Sequence, residues 1–128
     1  MKNKAKVIVP KNWRYKPEEF EMSAAYILKD HFRADVVFIE RKLHKTPDVE
    51  INAIRWEIKS PTGSGKRNIQ HQILNARKQS VNIIIDARRS KINSEKIIRE
   101  LNKWYSLSPW LRRLILITKS GKVIEFKR

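Results

Sequence analysis

Residues 48–59 read DVEINAIRWEIK, two alternating runs that meet at Asn52-Ala53. Val49 and Ile51 alternate with Asp48 and Glu50 on the first arm, and Ile54, Trp56 and Ile58 alternate with Arg55, Glu57 and Lys59 on the second. A half-buried strand needs period-two alternation, because successive side chains leave opposite faces of the backbone. Two such arms joined by two residues predict a hairpin. Asn-Ala is a weaker turn pair than Asn-Gly, so the register rests on the alternation more than on the turn. With Asn52 and Ala53 as the turn, Asp48 faces Glu57, Glu50 faces Arg55, and the apolar side chains all go to the other face.

Directly opposed like charges destabilise a sheet, so Asp48 facing Glu57 calls for a compensating cation. A divalent metal supplies it, and Lys59 adds positive charge beside it. Hard oxygen donors favour Mg²⁺ or Mn²⁺, although a carboxylate site also takes Zn²⁺. Such a metal would bind a scissile phosphate and lower the pKa of a bound water, while Lys59 orients the water or holds the phosphate. Taken alone, a short D…ExK spacing more often marks a solvated hairpin face paired with Arg55. The opposed register, the charge of the chain and the resemblance described below together tip the reading towards a site.

Working upstream, Pro17 followed by Glu18 and Glu19 suits a helix start, and a helix is expected over Pro17 to Phe32. Its apolar stripe is Phe20, Ala24, Ile27, Leu28 and Phe32, and Glu21 falls at the stripe's edge. An inward carboxylate costs desolvation unless it meets a cation or donors, which makes Glu21 the first candidate for a third metal or water ligand and Glu18 the reserve. Val36 to Ile39 reads as a buried strand, followed by a short basic loop.

Downstream, Lys66 to Ser80 has helical spacing, Val81 to Ile85 reads as a buried strand, and Asn93 and Ser94 are cap candidates for a helix ending before Pro109. Leu114 to Thr118 and Val123 to Phe126 flank Ser120-Gly121 as a closing hairpin. The expected fold is one α/β domain over 1–128, a central mixed sheet flanked by helices. It divides into a basic N-terminal arm (1–16), a core (17–86) and a C-terminal extension (87–128) that adds a helix and a hairpin.

The chain carries 29 Lys plus Arg against 13 Asp plus Glu, a net charge of +16. Such an excess implies a polyanionic partner, and nucleic acid fits best because each phosphate contact releases counterions. The apolar runs are strand length, so no segment is expected to span a bilayer. Met1 to Lys6 lacks the apolar stretch of a secretory signal, so the domain is not expected to export itself. With no cysteine there is no disulfide, thiolate zinc site or Cys nucleophile.

Gly63-Ser64-Gly65-Lys66 suggests a phosphate loop, but Ser60 and Arg67 stand where the P-loop needs Gly and Ser or Thr, which argues against ATP. The 60–67 loop is instead expected to approach substrate phosphate or simply to connect. Thr62, Lys66 and Arg67, with Gln72 one turn onward, are the candidate substrate contacts. His31, His44 and His71 lack ligand spacing, and Trp13 and Tyr15 are candidates for base stacking. Trp56 is expected in the core, and Arg88-Arg89 and Arg112-Arg113 extend the basic surface.

The arrangement Pro47-Asp48, then Glu57-Ile58-Lys59, with a Glu-bearing helix before and helix plus strand after, resembles the PD-(D/E)XK nuclease superfamily over 17–86. More narrowly, PDVEINAIRWEIKSPTGSGKRNIQHQ (47–72), continuing through ARKQSVNIIID (76–86), is similar to the C-terminal tRNA nuclease domains of contact-dependent growth inhibition toxins. That resemblance implies a restriction-endonuclease-like αβββαβ core and a metal-dependent RNase cutting tRNA. Asp48, Glu57 and Lys59 stand at the motif positions, and Glu21 or Glu18 would complete the site. It also implies a neutralising immunity protein and action in the cytoplasm after delivery within a larger secreted protein. A DNA endonuclease using the same site, or a non-catalytic basic nucleic-acid-binding module, is the alternative. No oligomer is indicated.

Overall fold

A computed structural model describes residues 4–11, 16–39, 48–77 and 80–128. Along the chain run β1 (Val7–Ile8), α1 (Glu19–Phe32), β2 (Val36–Ile39), β3 (Asp48–Ile51), β4 (Ile54–Lys59), α2 (Asn68–Ala76), β5 (Asn82–Asp86), α3 (Ser94–Leu107), β6 (Arg113–Ile117) and β7 (Val123–Glu125). The strands form one seven-stranded mixed sheet in sequential order. β1 pairs parallel with β2, β2–β3–β4 run antiparallel, β4–β5–β6 run parallel, and β7 returns antiparallel on β6.

Helices cover both faces, so the central strands are apolar on both sides. On β5, Ile84 packs with Ala24, Ala25 and Leu28 of α1, whereas Ile83 and Ile85 pack with Ile69 and Ile73 of α2 and Ile97 and Leu101 of α3. Val49, Ile51, Trp56 and Ile58 all join the α1 cluster, as the hairpin alternation requires. Helix α1 touches β1 and β2 at one edge and β7 at the other, so the sheet curls around it.

Sequence and structure agree on the order of elements, with one addition. Val7 pairs with Val36, so part of the expected N-terminal arm is an edge strand. The residues beyond 86 are no appendage to the sheet either, because β6 pairs with β5 along its whole length. Helix α1 begins at Glu19 with Glu18 as its cap, and Arg33 ends it at φ 53. Helix α2 is shorter than expected, starting at Asn68 rather than Lys66. Asn93 caps α3 by accepting from the Glu95 and Lys96 N–H groups at 2.9 and 3.4 Å. The basic loop before Asp48, with Pro47 and His44, and Trp13 and Tyr15 lie outside the described residues.

Candidate functional site: the carboxylate hairpin

The β3–β4 turn has φ 51 at Asn52 and φ 63 at Ala53. Positive φ at both central residues marks the type I′ turn, whose twist matches that of the flanking strands. It sets the expected register: Asp48 opposite Glu57, Glu50 opposite Arg55. Asp48, Glu57 and Lys59 therefore share one face, and the pairing of Glu57 with Ile83 and Lys59 with Ile85 identifies it as the α2–α3 face.

Both acids are withdrawn from solvent. The Glu57 side chain is 2% exposed and that of Asp48 is 14% exposed. Lys59 Nζ lies 3.6 Å from Glu57 Oε1, on a side chain that is itself 10% exposed. Arg55 reaches diagonally across the ladder, past its partner Glu50, and donates from Nε and Nη2 to Asp48 Oδ2. Among the described residues Asp48 Oδ1 is buried without a hydrogen-bond partner. A buried carboxylate oxygen left unpaired is costly, and with a second buried carboxylate opposite it the pair has the hard oxygen donors that would hold a cation.

Glu21 is held at the first turn of α1. It is buried, but on α1, which packs against the opposite face of β4, and its Oε1 accepts from the Glu18 N–H at 2.8 Å to close the helix N-terminus. Among the described residues no three acidic or His side chains gather as a metal-binding group. At the edge of its stripe Glu21 closes the capping box with Glu18, while Asp48 and Glu57 are the two acids that the hairpin register brings opposite each other. Glu18 is exposed at the cap. Two carboxylates suit Mg²⁺, which keeps several waters and commonly uses one or two protein carboxylates plus substrate phosphate.

Thr62, Lys66 and Arg67 are exposed on the connection from β4 to α2, and Gln72 is half-buried one turn into α2. The loop is anchored by Asn68 N–H donating to Gly65 O at 3.1 Å. At Gly63 an added Cβ would come within 2.9 Å of Asn68 Nδ2, so the glycine permits close approach between loop and helix.

Sequence reasoning placed Arg88 and Arg89 on a general basic surface; Arg89 is exposed there, and the structure corrects the expectation for Arg88. Arg88 forks onto buried Asp86 at the end of β5, with Nε to Oδ1 at 2.9 Å and Nη2 to Oδ2 at 2.8 Å. Its Nη1 and Nη2 also donate to Ser23 Oγ and Phe20 O of α1, each at 2.8 Å. The hydrogen bond with Asp86 raises the guanidinium pKa, against the opposing effect of burial, so Arg88 stays charged. Arg89 lies 3.5 Å from the Phe20 ring centroid and donates to Ser60 O at 3.4 Å. These consecutive arginines tie the first turn of α1 to the ends of β4 and β5. The available signal was an Asp ending an apolar strand two residues before an Arg.

Comparison with solved structures finds the fold similar to a chain of the CdiA-CT/CdiI toxin and immunity complex from Burkholderia pseudomallei, with TM-score 0.70 and 22% identity over 97% of this chain and 100% of that one. No curated protein matches. No helix among the described residues is long and apolar enough to cross a membrane. The family model described as the contact-dependent growth inhibition CdiA C-terminal domain matches residues 45–123, more than half the chain and the whole carboxylate hairpin, and the chain belongs to that family.

Proposed function

We propose that this domain is a metal-dependent endoribonuclease of a contact-dependent growth inhibition toxin, acting on tRNA from a PD-(D/E)XK-like site. The observation that carries this reading is the buried Asp48 Oδ1, unpaired among the described residues, on the same hairpin face as buried Glu57. Family membership and the +16 charge support it. Asp48 Oδ1 and the Glu57 carboxylate would hold a divalent cation, Mg²⁺ first. When bound, that cation supplies Lewis-acid stabilisation of a phosphodiester oxygen.

Each side chain has its own task. Glu57, fixed in the sheet and nearly dry, offers its carboxylate in one orientation. Arg55 holds Asp48 by Oδ2, so that Oδ1 would be the atom left for the cation. Lys59 Nζ, 3.6 Å from Glu57, stabilises charge on the phosphate as its bond to the leaving oxygen breaks. Exposed Thr62, Lys66 and Arg67, with Gln72, bind the strand on either side of the scissile bond. An immunity protein of acidic surface is the complementary partner, and delivery into the cytoplasm of a target cell within a larger secreted protein accounts for a domain with this activity.

The test incubates purified domain with total tRNA and with plasmid, with and without EDTA, alongside Asp48→Asn and Glu57→Gln. The expected result is EDTA-sensitive cleavage of tRNA, reduced roughly 100-fold or more in each variant, since even outer partners of a metal ligand are worth about 10–100-fold. Cleavage of plasmid alone would reassign the substrate to DNA. Binding of tRNA with no cleavage would leave a non-catalytic module, and undiminished cleavage by both variants would remove the site.

A further inference from the structure

At the other end of the sheet from the Asp86–Arg88 clamp lies a cleft of about 420 Å³. It opens where β4 begins, β6 begins and β7 ends, beside the C-terminal end of α1. Its floor is apolar, formed by Phe32, Ile54, Trp56 and Phe126. Its rim is cationic: Arg112, Arg113 and Lys127 are exposed there, and Arg128 completes it.

Two of these cations have structural work. Arg128 donates to the carbonyls of Tyr105, Ser108 and Leu111 and stacks on the Tyr105 ring at 3.9 Å, and Arg113 donates to Asn82 Oδ1 at 3.2 Å. Arg112 and Lys127 have no such engagement: among the described residues neither forms a salt bridge. The one acidic side chain in the lining, Glu125, is met by His31 Nε2 at 3.0 Å. An apolar floor under a cationic rim, in the size range of ligand pockets, matches a nucleotide: a flat base against the floor and phosphates on the rim.

We propose that this cleft is a second nucleic-acid contact, taking an unpaired nucleotide of the same RNA whose backbone meets the carboxylate hairpin. The inference rests on the nucleic-acid reading above. Ile54 in the cleft and Glu57 at the carboxylates are separated by roughly 10 Å along β4 and belong to opposite sheet faces. A mononucleotide cannot occupy both places, whereas a polymer can. The cleft therefore selects for substrates long enough to wrap the sheet end and contributes to binding rather than to bond breaking.

The experiment measures fluorescence anisotropy of labelled total tRNA in EDTA, so that binding is read whether or not the chain cleaves. Wild type is compared with Arg112→Ala/Lys127→Ala and with Lys119→Ala/Lys122→Ala, which removes the same charge from the exposed β6–β7 turn. Circular dichroism checks folding of each. The cleft variant should bind roughly tenfold more weakly, and its slope of log K against log salt should be shallower by about 1.4–1.8, as two lost phosphate contacts require. The turn variant should change affinity by less than about twofold. Polyphosphate and poly-glutamate serve as competitors. Equal losses in both variants, or an unchanged affinity and slope in the cleft variant, would overturn the assignment. Polyphosphate competing as well as tRNA would remove the base from it, and poly-glutamate doing so would reassign the cleft to an acidic protein surface. If wild type binds no tRNA, the nucleic-acid reading falls with it; if wild type binds and the cleft variant matches it, only the cleft assignment falls.

Discussion

Replacing Arg88 by Met tests whether the Asp86–Arg88 clamp holds the architecture of the site. The Asp86 side chain is 2% exposed and that of Arg88 is 21% exposed, so this pair lies far from the solvent-screened limit in which ion pairs contribute little. Met keeps the unbranched apolar stem but deletes the fork onto both Asp86 oxygens and the bonds to Ser23 and Phe20. What remains is a buried carboxylate with the Arg88 backbone N–H at 3.2 Å in place of a guanidinium. Breaking a buried pair on one side costs about 3–5 kcal/mol, most of it the unpaired charge, and that range is the expected loss. Adding Asp86→Leu to Arg88→Met removes the stranded charge, so the double variant should recover at least about half of the loss. The assay is urea denaturation of the four proteins of the cycle, with a common m-value as the check on two-state behaviour. Because the raised Arg88 pKa keeps the group charged, its contribution is complete below its ordinary value and declines only in strongly alkaline solution. The Arg88→Met deficit should therefore be the same at pH 7 and at pH 9. A single-variant cost under about 1 kcal/mol, or a double variant as unstable as the single, would refute the reasoning.

Two further outcomes follow from the hairpin. Ala53→Gly should stabilise the domain by about 0.5–1 kcal/mol, because alanine at φ 63 bears a Cβ penalty that glycine does not, and thermal unfolding reads the gain. Mg²⁺ at about ten times its Kd should stabilise wild type by about 1.4 kcal/mol, measured as a rise in Tm that EDTA reverses, and should leave Asp48→Asn/Glu57→Gln unmoved.

The carboxylate hairpin was legible because both of its determinants are local. Alternation of Val49, Ile51, Ile54, Trp56 and Ile58 allows one register about a two-residue turn, and a slip by one residue would turn Trp56 and Ile58 out to water. The cap at Asn93 and the buried runs of β5 and β6 were legible for the same reason, since neighbouring residues carry the signal, whereas β2, expected to be buried throughout, keeps Val37 and Ile39 half-buried. β1 was not, since two residues have no periodicity to read and their pairing partner lies nearly thirty residues on.

Glu21 and Arg88 mark where local reading stops. A helical projection tells which side of α1 faces inward, but not which face of the sheet that side meets. Only the curl of the strands puts α1 against Trp56 and Ile58. Likewise, an Arg-Arg pair in a chain of net charge +16 looks like more of the same surface. The parallel β4–β5 pairing brings Asp86 beside the first turn of α1 and turns Arg88 inward to serve both. By itself, then, the sequence determined the elements other than β1, the hairpin register and the opposed carboxylates, because these depend on contacts a few residues apart. Tertiary structure alone decided that Arg88 is a clamp between β5 and α1 and that Arg112 and Lys127 share a cleft with Phe32, because those contacts join residues whose separation along the chain carries no local pattern.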